Sequence, residues 1–178
     1  AFYGDGFFHN NIFWNKEHTA RMVNLYRSRF EKYGHGRADQ AIVGLGGHVF
    51  IGDSEAEAKK TFRPYFDNAP VYGHGPSLEE FSSYTPLTVG TAEQVIDRTL
   101  QFADWVGDYQ RQLFLIDHAG LPTEVVLDQI ERLGRYVVPE LRRRFEERRP
   151  DHIPSNPPSH AELLANPDHP HHKVKPNA

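Results

Sequence analysis

Two short polar groups, each following an apolar stretch, hold the side chains best suited to chemistry. The first is His9-Asn10-Asn11 with Trp14 close behind, and the second is Asp117-His118 followed by Gly120. A histidine titrating near neutrality can take up and return a proton. Asparagine carboxamides both donate and accept hydrogen bonds, so they can hold a polar ligand. Plainer readings stand beside these. His9 also reads as a satisfied histidine at a turn, and Asn10 and Asn11 as turn residues, a role asparagine fills readily. His48, inside an apolar run, reads as a core or interior histidine rather than a catalyst. Tyr72 and His74, beside Gly73 and Gly75, read either as a cover that closes over substrate or as a subunit contact.

Composition removes several classes. The 178 residues carry 20 Lys+Arg against 24 Asp+Glu, a net charge of −4. Nucleic-acid binding is disfavoured, because phosphate neutralisation needs clustered basic residues in excess. No apolar run approaches the roughly 18 residues of a membrane-spanning helix. The chain has no cysteine, which excludes disulfides, thiolate nucleophiles and cysteine-ligated metals and is compatible with the cytoplasm. Gly44-Leu45-Gly46-Gly47 is not a dinucleotide fingerprint, since Val49 stands where the third glycine belongs. No Ser/His/Asp triad or paired glycosidase carboxylates can be placed.

The elements that must position these residues alternate. Gly6–Phe13 suits a short strand, and Asn15 caps a helix to about Tyr33 with Met22, Tyr26 and Phe30 on one face. Ala41–Ile51 is apolar throughout apart from His48, as in a strand buried on both faces. Ser54-Glu55-Ala56-Glu57 reads as a capping box for a helix to about Phe62, and Thr91-Ala92-Glu93-Gln94 as another. Between them Phe66–Thr88, rich in Pro, Gly and aromatics, reads as a lid-like loop. Gln112–Asp117 is a short buried strand. A final helix places Val126, Ile130, Leu133, Val137, Leu141 and Phe145 on one stripe, with Pro139 kinking or dividing it. From 150 to 178 lie seven of the thirteen prolines and five of the eleven histidines, so this segment reads as a disordered tail. His152, His160, His169, His171 and His172 could bind a metal loosely, but a solvated tail is the favoured reading.

This order predicts an α/β fold with parallel strands. Three strands cannot hide their own faces, and a (β/α)8 barrel needs about 250 residues. Position 1 is Ala, and residues 1–149 remain once the tail is set aside. The expectation is therefore a partial (β/α)8 TIM barrel, namely its C-terminal portion.

Four stretches in order resemble the luciferase-like monooxygenase family: Tyr3-Gly4-Asp5-Gly6-Phe7-Phe8, Gly52-Asp53-Ser54-Glu55-Ala56-Glu57-Ala58, Leu87–Ile96 and Val137-Val138-Pro139-Glu140-Leu141. The resemblance spans about Tyr3 to Phe145 and is nearest to flavin oxidoreductases carrying almost the same FHNNIFWNKEHT, FRPYFDNAPVYGHGPS and VGDYQRQLFLIDHAGLP segments. It implies that Gly6–Phe13, Ala41–Ile51 and Gln112–Asp117 are barrel strands six, seven and eight. It also implies reduced FMN (or a deazaflavin), O2 and a small organic substrate, with a separate flavin reductase and a homodimer. Because catalytic groups of such barrels sit at the C-terminal ends of strands, His9 and His118 become the catalytic candidates. Asn10, Asn11 and Asp117 are then the cofactor-binding candidates, and Trp14, Tyr72 and His74 the candidates for contacting substrate. The alternative is a non-catalytic, truncated flavin-binding or dimerisation module.

Overall fold

The computed structural model describes residues 1–72, 75–117, 119–153, 160–165 and 167. Its spine is one long strand, β2 (Val43–Ile51), every residue of which is buried. β1 (Phe7–His9) pairs with it in parallel from Val43 to Leu45. β4 (Arg111–Leu115) pairs from Gly44 to His48, and β3 (Thr88–Gly90) from Val49 to Ile51. The three strands read from the sequence are thus parallel neighbours in the order β1-β2-β4. The three-residue β3 was not anticipated.

Helices return the chain between strands. α1 (Lys16–Lys32) starts where the Asn15 side chain accepts from the His18 N–H. Its buried residues are Thr19, Val23, Tyr26 and Phe30, so Val23 rather than Met22 faces the core. α2 (Glu55–Asn68) begins at Ser54, whose hydroxyl accepts from the Glu57 N–H. The box is not reciprocal, because Glu57 accepts from the Asp53 N–H instead. Gly52 is required here, since an added Cβ would lie 3.0 Å from the Ala58 Cα. α4 (Ala92–Val106) carries a full capping box between Thr91 and Gln94.

Three elements correct the sequence reading. α2 runs through Pro64 to Asn68, because Phe62 and Phe66 are anchored in the core on either side of a single missing N–H. The lid-like stretch contains α3 (Leu78–Tyr84), capped by Ser77, and buries Leu78, Phe81 and Leu87. The last helix is α5 (Thr123–Arg132), a π turn over Leu133–Val137, and α6 (Val138–Arg148). The Val138 N–H reaches back to the Leu133 carbonyl just before Pro139. That extra residue shifts the phase of the stripe. Gln129, Leu133, Val137 and Leu141 face inward, while Ile130 is exposed. In the terminal segment, Ile153 is buried, His152 lies 2.6 Å from Asp39, and α7 (His160–Ala165) forms where no helix was expected.

The two faces of the sheet differ. Val43 and Leu45 pack with α1 and α4, and Val49 and Ile51 with α4, the π turn and α6. On the opposite face, α2 and α3 cover only the Phe50 end. Below it Phe8, Leu113 and Leu115 remain 45%, 52% and 39% exposed. β4 is therefore half-exposed, contrary to the buried strand expected. Two arginines tie helix ends together. Arg27 donates to the Val106 and Asp108 carbonyls at the end of α4, and Arg98 to the Ser82 and Thr85 carbonyls at the end of α3.

Candidate functional site

The strands' C-terminal ends bring some of the candidate residues together and separate others. Alternation along β1 puts Phe8 on the open face with Gly44, and puts His9 in register with Leu45 on the helix-covered face. His9 is buried there, its ring stacked 5.7 Å from that of His18 on α1. Trp14 stacks on the other side of His18, at 4.3 Å. His9 and Trp14 therefore belong to a column of rings between β1 and α1, away from the open face. This placement does not support His9 as a proton-transfer group at the strand ends. The period-two pattern of Phe7 and His9, followed by a helix that folds back over them, was the signal for it.

Burial, and secondarily the charge of His18, lowers the His9 pKa below its usual 6.5. The unfolded chain then binds a proton at a higher pH than the folded one, so this residue destabilises the fold as pH falls through about 6.5. Melting temperature measured from pH 7.5 to 5 should fall less steeply for His9→Phe than for the parent. Equal slopes would show that His9 takes up its proton equally in the folded and unfolded chain, so that burial does not hold it neutral.

Asn11 is fully buried and takes over where β1 leaves the sheet. Its Oδ1 accepts from the Gly46 N–H at 2.7 Å, continuing the ladder with a side chain. The same device recurs along β2: Gln110 Oε1 accepts from the Val43 N–H at 2.9 Å. Gln129 accepts from the Ile51 N–H at 2.6 Å and donates to the Ile51 carbonyl at 2.9 Å. With its oxygen committed, the Asn11 Nδ2 is buried and has no hydrogen-bond partner among the described residues. A buried carboxamide donor left over at a strand end fits an acceptor on a bound molecule. Asn10 and Asp117 are exposed at the ends of β1 and β4. Both remain available to a ligand on this side of the sheet.

The sequence reading of His48 as a core or interior histidine agrees with its burial, and Phe13 is the neighbour that reading did not single out. His48 is fully buried on the face that bears Leu113 and Leu115, in register with Leu115. Its Nδ1 lies 3.1 Å from the Tyr72 hydroxyl, and Phe13, rather than Trp14, meets it edge-on at 5.6 Å. Tyr72 is buried among Phe66 and Phe81, so its ring is core rather than an exposed cover. His74 and His118 lie outside the described residues. A surface cleft of about 410 Å³ beside Asp53, Thr91 and Arg132 is a different place. Arg132 there is already paired with Asp53 and Asp128.

In open parallel α/β sheets, ligands bind outside the carboxyl ends of the strands, where Asn10, Asn11 and Asp117 stand. Residues 1–109 match the profile of the family described as luciferase-like monooxygenase. The chain belongs to that family. Among solved structures, monooxygenase RslO1 from Streptomyces bottropensis aligns with a TM-score of 0.58 and 14% identity, over 78% of this chain and 43% of its own. Riboflavin lyase RcaE, solved with modified FMN and riboflavin, aligns at 0.52 and 16%, over 94% of this chain and 44% of its own. EDTA monooxygenase EmoA from Chelativorans sp. BNC1 aligns at 0.52 and 19%, over 82% and 44%. The chain spans less than half the length of each. A comparison with curated proteins finds no significant match. Among the described residues, no helix is long and apolar enough to cross a membrane.

Proposed function

We propose that the chain is the C-terminal portion of a flavin-dependent monooxygenase, contributing strands six to eight of a (β/α)8 barrel. The observation that carries the monooxygenase reading is the family match over 1–109, which covers β1, β2 and β3 and stops short of β4. The half-covered sheet supports the barrel assignment. A wholly parallel sheet normally has both faces buried, and a barrel would bury this one.

In this reading the Asn11 Nδ2 and the Asn10 carboxamide would hold the ring system of a reduced FMN as donors, and Asp117 would hold it as an acceptor. Bound reduced flavin supplies the electrons that place one oxygen atom of O2 in the organic substrate and the other in water. The chain's own share is to orient the ring and exclude water. The apolar Phe8, Leu113 and Leu115 surface serves the second role. His118 is the proposed proton-transfer group and His74 a proposed substrate contact, both as the resemblance implies, whereas Tyr72 acts from the core.

The test is FMN titration, followed by flavin fluorescence, of the protein expressed with its upstream coding sequence, then oxygen uptake with candidate organic substrates. Asn11→Asp keeps an oxygen for the Gly46 N–H and deletes the donor. It should weaken FMN binding at least tenfold, the lost hydrogen bond being joined by the cost of a buried carboxylate. Absence of both FMN binding and oxygen uptake in the parent would refute the reading; parental affinity in Asn11→Asp would remove only Asn11 from it.

A further inference from the structure

Tyr72 occupies the turn after α2, where its N–H donates to the Ala69 carbonyl at 3.1 Å. Its ring stacks on Phe66 with centroids 4.4 Å apart and meets Phe81 edge-on at 5.1 Å. Those contacts carry the hydroxyl to 3.1 Å from Nδ1 of His48. His48 is the last β2 residue paired with β4, and the next residue, Val49, is the first paired with β3 on the strand's other edge. The hydrogen bond thus joins the turn to the strand at the residue where pairing with β4 ends.

We propose that Tyr72 and His48 are a positioning pair, in which the phenol donates to Nδ1, fixes His48 as the neutral Nε2–H tautomer and seats the Ala69–Tyr72 turn on β2. The direction follows from acidity. A phenol is a much stronger acid than the N–H of a neutral imidazole, and an imine nitrogen accepts better than a phenolic oxygen. Burial pushes the Tyr72 phenol up from its usual range, so it keeps its proton throughout the working pH. The result is a neutral histidine of defined tautomer on the face that bears Leu113 and Leu115. Its bearing on turnover rests on the flavin reading above, whereas the pair itself does not.

Nitrogen-15 correlation spectra of the histidine ring and amide hydrogen exchange of the whole chain test this together. In the parent, His48 should show a pyridine-type Nδ1 and a pyrrole-type Nε2. Tyr72→Phe keeps the stacking on Phe66 and removes only the hydroxyl. It should abolish the fixed tautomer and speed amide exchange at Ala69–Tyr72 about fivefold, as expected for one lost hydrogen bond. His48→Gln, with Tyr72 intact, offers the phenol an amide oxygen and should keep exchange slow. A pyrrole-type Nδ1 in the parent, or Tyr72→Phe with unchanged tautomer and exchange, would overturn the proposal. These signals need no flavin, so failure to bind FMN would leave them intact, and their failure would leave the FMN titration intact.

Discussion

Gln129→Leu should lower the unfolding free energy by about 2–4 kcal/mol, read from denaturant melts, while Ile130→Gln on the next residue should change it by less than about 0.5 kcal/mol. A helical wheel drawn through the last helix predicts the reverse, with Ile130 in the core and its polar neighbour in water. The π turn decides otherwise. It rotates the helix so that Gln129 is buried against the end of β2, where its carboxamide satisfies both backbone groups of Ile51. Leucine fills nearly the same volume, so the loss is not a cavity effect. It is the cost of leaving a buried N–H and a buried C=O without partners, about 1–3 kcal/mol each. Gln129→Leu with parental stability would mean that water replaces the amide, and would remove Gln129 as the closure of β2.

The comparison of Gln129 with Ile130 illustrates what the sequence could and could not reveal. Elements set by local chemistry were legible. Asn15 and Thr91 announce α1 and α4 through caps that need only a few consecutive residues, and the unbroken apolar run to Ile51 announces β2. What depended on distant partners was not legible. α2 outlasts Pro64 because Phe66 has a core to enter, and α3 forms in a Pro- and Gly-rich stretch because Phe81 does too. Ser77 and Glu80 did offer the same capping pattern as the other helices, and that signal was overlooked. For the site, Asn11 and Asp117 lie at the strand ends, His9 turns to the helix-covered face, and His48, read as a core or interior histidine, is fully buried. Register decides this. His9 shares a face with Leu45, whereas His48 shares one with Leu115, and a shift of one residue inverts both.

The open sheet face yields the second large effect, and its sign depends on context. In the chain alone, the double substitution Leu113→Lys and Leu115→Lys should reduce binding of an apolar dye and raise the monomeric fraction in sedimentation. Stability should hold within about 1 kcal/mol, because both leucines are more than a third exposed. In the protein expressed with its upstream coding sequence, the same change should abolish FMN binding and soluble yield. If strands one to five close over this face, two ammonium groups must leave water for a barrel interior, at several kcal/mol each where no carboxylate pairs with them. Phe8 and Leu113 then exchange water for the far wall of the barrel, and the energy that makes the isolated sheet adhesive becomes the energy that closes the cylinder. Neither half of the contrast suffices alone, since better solubility follows from any loss of surface leucine and poor yield from any misfolding. Equal tolerance of the two lysines in both contexts would show that this face meets solvent in the working protein, and the barrel reading would fall with it.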